Sequence, residues 1–175
     1  MDATGPHNQP AAVPETRTLS LHVKQHPISI LLIDDDPDCR LLIRDAIGER
    51  ADPYVIYEAC NGIEALDLLS RKGGPDQDEL PGLIFMDVEM PMLDGLETLR
   101  RIKSDPRLWH IPIVMMTGVS DEDHMRRAAE YGANSYTLKP ADADHFLTTV
   151  AASTTYWLSV HQYPQQRLPQ SQCRR

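Results

Sequence analysis

The sequence predicts an α/β fold, a doubly wound sheet of five parallel strands with five helices in the order (βα)5. Short segments of strand length alternate along the chain with segments in which apolar residues recur at helical spacing. No internal repeat with a period of about 20–50 residues is present, which argues against a solenoid. Strands that alternate with helices favour a parallel sheet covered on both faces, with right-handed crossovers.

The strands are predicted from five short segments, the clearest of which are continuous apolar runs. Strands buried on both faces of a parallel sheet have such runs, because helices cover each face. In chain order, the predicted strands are Ile28–Ile33, Val55–Cys60, Leu83–Met86, Ile113–Met116 and Ser135–Leu138.

A helix is predicted after every strand, and each begins at a residue that can cap it. A short polar side chain at the N-cap accepts hydrogen bonds from free N–H groups, and a first-position proline or a third-position acid supports the same start. The predicted caps are Asp36, Asn61, Asp94, Ser120 and Asp142, with support from Pro37, Glu64, Glu97 and Asp123. The first four helices are predicted to end near Arg50, Arg71, Lys103 and Gly132. The last helix carries Leu147, Val150, Thr154, Trp157 and Leu158 at helical spacing.

One folded domain is predicted over residues 27–162, with polar segments at both ends. Residues 1–26 are predicted to be a flexible arm, and residues 163–175 a flexible tail. A loop is predicted between the second helix and the third strand, where Gly73-Gly74-Pro75 precedes the acidic segment DQDE.

The composition limits the classes of function. A net charge of −9 argues against direct nucleic-acid binding, which depends on Lys and Arg contacts to phosphate, and against adhesion to an anionic membrane. Cys39, Cys60 and Cys173 form no paired motif, so neither a disulfide framework nor a zinc site is indicated. No apolar run reaches transmembrane length, and the first residues lack a signal-peptide core. We therefore expect a cytoplasmic protein with reduced thiols.

The residues that follow the predicted strands are the candidates for chemistry. Asp34 and Asp35 follow the first strand, Asp87 the third, Thr117 the fourth and Lys139 the fifth. The carboxyl ends of parallel strands meet at one edge of an open sheet, and ligands bind there near the point where the strand order reverses. We therefore expect these side chains to converge.

Three carboxylates in one crevice repel each other, and Lys139 alone cannot balance them. A hard divalent cation would do so; Mg²⁺ takes oxygen ligands, keeps several waters and usually binds one or two carboxylates with a phosphate. An aspartate left free could then act as a nucleophile on a phosphoryl group. Thr117 could hydrogen-bond a phosphoryl oxygen, and Lys139 could supply a positive charge opposite it.

Four motifs together resemble the receiver domain of two-component response regulators. They are LLIDDD, MDVEMPMLDG, MMTG and GANSYTLKP, and they occur in the order and at the spacing of that family between Ile28 and about Leu147. The resemblance implies a flavodoxin-like fold, in agreement with the (βα)5 pattern.

The resemblance implies a role for each matching residue. Asp87 would be the phospho-acceptor, Lys139 the lysine that contacts the phosphate, and Thr117 and Tyr136 the switch residues. The implied Mg²⁺ ligands are Asp34, Asp35, Asp87 and the backbone carbonyl of Glu89.

The implied mechanism is phosphoryl transfer from a phosphohistidine of a sensor histidine kinase to Asp87. Thr117 then moves inward and Tyr136 follows. The populations of the conformations of the face made by helix four, strand five and helix five change as a result. The Lys139–Pro140 bond is expected to be cis, as in the family. Asp36 is expected to cap the first helix and not to bind the metal. Tyr136 could equally be a core residue.

A finer resemblance is to the stand-alone regulators paired with bacterial phytochromes. It is carried by SDPRLWHIPIVMMT, by the acidic insert before the third strand and by the ending HFLTTVAASTTYWLSVHQYP. Such regulators often form homodimers, so Tyr156 and Trp157 could anchor a dimer interface or could cover the core of their own domain. Residues 151–175 are too few for an output domain, so we expect the output to be a contact with an unknown downstream protein.

Two other functions stay open. One is an aspartyl-phosphate hydrolase of the haloacid type. Such enzymes need a second acid two residues on and then Thr or Val, whereas Asp87-Val88-Glu89-Met90 offers a glutamate and no hydroxyl. The other is a scaffold that binds its partner without phosphorylation. Asp87→Asn would distinguish the scaffold, because its partner binding would not change.

Overall fold

The computed structural model describes residues 28–48, 54–71, 80–140 and 142–160. Within these ranges the chain forms a five-stranded parallel sheet flanked by helices, which confirms the predicted fold class. The predicted flexible arm, the loop with Gly73-Gly74-Pro75 and its acidic segment, and the predicted tail lie outside the described residues.

The sheet has the strand order β2-β1-β3-β4-β5, which is the flavodoxin-like order. The strands are β1 Ser29–Ile33, β2 Val55–Ala59, β3 Leu83–Asp87, β4 Ile113–Thr117 and β5 Ser135–Leu138. The three central strands are buried throughout, whereas the edge strands β2 and β5 are mostly half-buried. The order reverses between β1 and β3, so the switch point lies at the carboxyl ends of these two strands.

The helices follow the strands as predicted. They are α1 Pro37–Ile47, α2 Gly62–Arg71, α3 Gly95–Ser104, α4 Glu122–Glu130 and α5 Ala143–Thr155, and a π-helical turn at Tyr156–Val160 extends α5. The first helix ends three residues before the predicted Arg50, because Gly48 adopts φ 66°, a left-handed conformation that stops a helix and suits glycine.

Four of the five predicted helix caps are confirmed. Asp36, Asp94 and Asp142 each accept a hydrogen bond from a backbone N–H of the first turn. Asn61 accepts from the N–H of Glu64, whose carboxylate accepts in turn from the N–H of Cys60, an arrangement close to a capping box. The prediction of Ser120 as the cap of α4 is wrong. Asp121 occupies that position, where its carboxylate accepts from the N–H groups of two residues. Both residue types are good caps, so sequence preference could not choose between neighbours.

The core has two parts, one on each face of the sheet. Alternate residues of one strand belong to opposite parts: Leu31 and Ile33 face the cluster under α2 and α3, whereas Ile30 and Leu32 face the cluster under α1 and α5.

The extended end of α5 contributes to the second part of the core. Trp157 packs there with Phe146 and Val150 and is only 9% exposed, whereas Tyr156 is 51% exposed. Of the two alternatives for this pair, the structure therefore places Trp157 in its own domain's core and leaves Tyr156 available to a partner.

Among the helices that the structure describes, none combines the length and the apolarity needed to span a membrane. Cys39, which is buried, and Cys60, which is exposed, are free thiols. Cys173 lies outside the described residues.

Candidate functional site

The predicted site residues converge at the carboxyl edge of the sheet. Asp87 and Thr117 are the last residues of β3 and β4, and Asp34 and Lys139 directly follow β1 and β5. The parallel register brings these strand ends together: Asp87 is opposite Met116, and the Lys139 N–H donates to the Thr117 carbonyl at 2.7 Å. The topology thus collects in one place residues that are more than a hundred positions apart in sequence.

Lys139 joins the two buried carboxylates. Its Nζ lies 2.7 Å from Oδ2 of Asp34 and 2.7 Å from Oδ1 of Asp87. Asp34 is 2% exposed and Asp87 7% exposed, so both carboxylates are largely withdrawn from water. A buried carboxylate needs a cation or hydrogen bonds, and this lysine supplies both to each of them.

The second oxygen of each buried carboxylate is held by the backbone. Oδ1 of Asp34 accepts from the N–H of Asp36 at 3.0 Å, and Oδ2 of Asp87 accepts from the N–H of Glu89 at 3.1 Å. Each carboxylate therefore has one oxygen on the lysine and one on the turn that follows its own strand. This arrangement fixes the orientation of both side chains.

Burial and pairing act in opposite directions on the pKa values of the site. Burial raises the pKa of Asp87 above its ordinary value, although Lys139 and the Glu89 amide partly oppose this. Burial lowers the pKa of Lys139, but its contacts with Asp34 and Asp87 outweigh burial and leave its pKa raised. The lysine therefore keeps its charge. The Asp87 carboxyl is protonated more readily than an ordinary aspartate, because burial raises its pKa.

The three aspartates can hold a metal ion. One carboxylate oxygen from each of Asp34, Asp35 and Asp87 lies within 4.8 Å of the others. Three carboxylates and one ammonium leave two negative charges in excess, and the ligand atoms are all oxygens, which suits a hard divalent cation such as Mg²⁺. Asp35 is exposed and lines a cleft of about 370 Å³ together with Glu89, so the ion would be reached from solvent.

The Thr117 side chain is fully buried and is turned toward the loop that follows β4. Its hydroxyl donates to the carbonyl of Val119 and accepts from the N–H of the same residue, both at 3.2 Å. Two long hydrogen bonds to one flanking residue hold the hydroxyl weakly. Beside it, a Cβ built at Gly118 would meet no atom within 4 Å, so the space next to the hydroxyl is open.

Tyr136 lies on β5 and is half-buried. Its hydroxyl oxygen is buried and has no hydrogen-bond partner of good geometry among the described residues. Burial raises the pKa of Tyr136, and the Thr117 side chain partly opposes this.

The cis bond expected at Lys139–Pro140 is wrong, because no peptide bond in the described part of the chain is cis. A peptide bond before proline prefers trans over cis by only about 0.5–1 kcal/mol, so proline permits the cis isomer but does not require it. The surrounding structure therefore decides the isomer, and here the lysine reaches both carboxylates from a trans bond.

Sequence reasoning missed the contribution of Gly95, which it included only as the last residue of the MDVEMPMLDG motif. A Cβ at this position would lie 2.0 Å from the carbonyl oxygen of Asp87, and the Gly95 N–H donates to the Val88 carbonyl at 2.9 Å. The start of α3 is thus pressed against the strand end that carries Asp87. Nothing in the local sequence signals so close an approach.

Met92 was also missed. It adopts φ 68°, a left-handed conformation that L-residues other than glycine, asparagine and aspartate rarely adopt, and its side chain is 76% exposed. The strained residue lies in the loop between β3 and α3, close to Asp87 in sequence.

Known proteins share both the sequence pattern and the fold. The response regulator receiver domain family matches residues 30–151. The polar-differentiation response regulator DivK of Brucella anthropi is 33% identical over 124 residues, which are 71% of this chain and 94% of that protein. Among solved structures, the phosphorylated cyanobacterial phytochrome response regulator RcpA is 29% identical, with a TM-score of 0.74 over 79% of this chain and 99% of that one. The Mn²⁺-bound form of the response regulator Rcp1 is 27% identical, with a TM-score of 0.72 and the same coverage of both chains.

The family match covers most of the chain and includes every residue of the acidic cluster, the buried threonine and the lysine. The strand order and the convergence of these side chains are independent evidence from the structure. The chain belongs to the response regulator receiver domain family.

Proposed function

We propose that this protein accepts a phosphoryl group on Asp87 from a sensor histidine kinase, with Mg²⁺ held by Asp34, Asp35, Asp87 and the backbone carbonyl of Glu89. The observation that carries the proposal is the geometry of Lys139, which lies 2.7 Å from two buried carboxylates while a third acid completes a cluster of oxygen ligands. A purely structural ion pair would not need the third, exposed carboxylate.

The chemistry follows from the positions of these groups. A carboxylate oxygen of Asp87 attacks the phosphorus of a phosphohistidine; an O–P bond forms, the P–N bond breaks, and the departing imidazole takes up a proton from solvent. Such transfers depend mainly on positioning and charge neutralisation. Mg²⁺ held by the acidic cluster would supply part of that neutralisation, and Lys139, whose Nζ lies 2.7 Å from Asp87, would supply more of it.

The switch would begin at Thr117. Its hydroxyl makes two 3.2 Å contacts with Val119, and a phosphoryl oxygen on Asp87 would be a stronger, charged acceptor. Movement of the threonine would change the environment of Tyr136, whose buried hydroxyl has no partner in the described structure. The balance between the conformations of the face formed by α4, β5 and α5 would shift as a result.

That face is also the proposed contact surface for a second copy and for the downstream protein. Its elements carry the exposed apolar side chains Met125 on α4 and Leu138 on β5, and the exposed Tyr156 directly follows α5. Because β5 is an edge strand, this side of the sheet is not covered by another strand of the described chain. We therefore propose a homodimer formed through this face, with Tyr156 as an anchor.

We further propose that the kinase is of the phytochrome type and that the protein acts in the cytoplasm. The similarity to RcpA, a cyanobacterial phytochrome response regulator, supports the first point, as do the sequence motifs of the loop before β4 and of the last helix. The receiver domain is proposed to extend over residues 27–162. No observation favours the hydrolase or the scaffold, and both are outcomes of the test below.

The test is intact mass spectrometry after incubation with acetyl phosphate and Mg²⁺, with light scattering on the same samples. We expect one phosphoryl adduct on the wild type and none on Asp87→Asn or in the presence of EDTA. A molar mass that rises only in the phosphorylated sample would connect dimerisation to the switch.

Three other results would contradict parts of the proposal. A wild type that forms no adduct, but binds its partner as Asp87→Asn does, would indicate the scaffold. Steady release of phosphate from a range of phosphate esters would indicate the hydrolase. A dimer of equal stability in every sample would show that assembly is independent of phosphorylation.

A further inference from the structure

Arg40 lies beside the acidic cluster but has no part in the chemistry described above. It is a residue of α1, and only 12% of its side chain is exposed. Its Nε donates to Oε2 of Glu58 at 2.9 Å, and its Nη1 donates to the main-chain carbonyl of Asp34 at 2.5 Å. One guanidinium thus connects β2 with the turn that carries the acidic residues.

The position of that carbonyl matters for both acids that follow β1. It belongs to the planar peptide unit between Asp34 and Asp35, so its direction limits how the two side chains leave the backbone. The N–H of Asp34 donates to the carbonyl of Ala59 on β2 at 3.1 Å. The backbone of Asp34 is therefore anchored to β2 on both sides, directly through its N–H and indirectly through Arg40 and Glu58.

Glu58 holds the guanidinium in place. Its other oxygen, Oε1, accepts from Arg44 at 2.7 Å, so two arginines of α1 converge on one carboxylate of β2. Burial raises the pKa of Glu58, but the two arginines outweigh it and leave the pKa lowered. The planar fork of arginine can serve a carboxylate and a carbonyl at once, whereas lysine has no such geometry.

We propose that Arg40, held by Glu58, is a positioning residue for the divalent cation: it fixes the peptide unit between Asp34 and Asp35 and thereby sets the affinity of the acidic cluster for the ion. The inference rests on the proposed function, because it assumes that these acids bind Mg²⁺. Outer residues that orient metal ligands commonly change metal affinity by about 10–100-fold.

Simple electrostatics predicts the opposite result. Arg40 carries a positive charge next to a cation site, so its removal should strengthen cation binding if charge alone mattered. If Arg40 positions the backbone, its removal should weaken cation binding. If it only stabilises the fold, its removal should lower the stability of the protein and leave cation affinity unchanged. The sign of the change in affinity therefore decides between three roles.

The experiment measures Mn²⁺ affinity by electron paramagnetic resonance, which counts the free ion and needs no phosphorylation. The variants are Arg40→Met, Arg40→Lys, Glu58→Gln and the double variant R40M/E58Q, with circular dichroism as the check of folding. The matched control is Arg100→Met, because the Arg100 guanidinium donates two hydrogen bonds to Glu97 on α3 and none to a main-chain carbonyl of the described residues.

We expect Arg40→Met to weaken Mn²⁺ binding about tenfold. Arg40→Lys should lose nearly as much, since it keeps the charge but not the fork, and Glu58→Gln should lose less, in the same direction. The double variant should be no weaker than Arg40→Met, because both substitutions break one chain of contacts. The control should bind as the wild type does.

Affinities of Arg40→Met and Glu58→Gln that equal or exceed the wild-type value would overturn the inference, as would additive losses in the double variant. If Arg40→Met does not fold, Glu58→Gln and Arg40→Lys decide the question. The proposed function fails separately: a wild type that neither binds Mn²⁺ nor accepts a phosphoryl group would contradict it. If the wild type binds Mn²⁺ and accepts a phosphoryl group, but the variants bind Mn²⁺ as tightly as the wild type does, only the role of Arg40 is contradicted.

Discussion

Replacement of Lys139 by methionine removes the cation that two buried carboxylates share. At 2.7 Å, each contact contributes a Coulomb attraction of about 6 kcal/mol at an effective dielectric constant of about 20. Desolvation of the three charges offsets most of this attraction. Loss of one partner from a buried ion pair nevertheless costs about 3–5 kcal/mol, because the remaining charge stays buried without compensation. We therefore expect Lys139→Met to lower the free energy of unfolding by about 3–5 kcal/mol in EDTA at about pH 8.

The loss of stability in Lys139→Met should depend on pH, and the protonation of Asp87 sets the direction. Its pKa is already raised by burial, and loss of the lysine raises it further. A carboxyl group whose pKa is higher in the folded than in the unfolded state stabilises the folded state as the pH falls, because the folded state then binds the extra proton. The pKa of Lys139 is itself raised, so the wild-type lysine stays charged over this range. The difference between variant and wild type should therefore shrink from about pH 8 to about pH 5.

Urea denaturation in EDTA at the two pH values measures this difference, and a repeat with Mg²⁺ measures rescue. We expect Mg²⁺ to restore part of the lost stability, because the ion replaces the missing positive charge. Arg107→Met is the control: this arginine pairs with Asp105 on the surface, and we expect no measurable change with pH. A loss below about 1 kcal/mol, or one of the same size at both pH values, would refute the argument that Lys139 compensates the buried carboxylates.

Three further predictions concern packing and backbone conformation. Gly95→Ala should lower the free energy of unfolding by about 2 kcal/mol or more and impair phosphorylation, because the added Cβ would lie 2.0 Å from a backbone oxygen. Urea denaturation measures the change in stability, and Gly118→Ala is the control because the space around Gly118 is open. Met92→Asn should raise the midpoint of thermal unfolding and add up to about 1 kcal/mol, since asparagine tolerates φ 68°; an unchanged or lower midpoint would contradict this. Trp157→Ala should lower the free energy of unfolding by about 3–5 kcal/mol as a core residue, whereas Tyr156→Ala should weaken only the proposed dimer, as measured by light scattering. Equal behaviour of these last two variants would contradict the assignment of one to the core and the other to the surface.

The differences between expectation and structure have local causes. Ser120 and Asp121 are both good caps, and only the path of the chain from β4 to α4 selects the second. Residues at helical spacing after Asp142 predicted one helix, but the spacing could not show whether Trp157 points into the core or toward a partner. The Lys139–Pro140 bond shows the same limit, because proline permits two isomers and the surroundings choose one.

The sequence by itself determined the fold class and the identity of the residues at the strand ends. Apolar segments that alternate with capped helical segments allow few topologies other than a parallel sheet, and such a sheet brings the ends of its strands to one edge. Asp34, Asp87, Thr117 and Lys139 were therefore predictable as a group. Their excess of carboxylates over cations also led to the prediction of a divalent ion, which stays a prediction.

Only the tertiary structure decided which groups touch and which residues support them. Three such features join separate elements: the contacts of Lys139 with two carboxylates, the close approach of Gly95 to the Asp87 carbonyl, and the connection from Glu58 through Arg40 to Asp34. Such contacts depend on distances of a few tenths of an ångström between packed elements. Periodicity and capping preferences act within one element, so they carry no information about the spacing between elements.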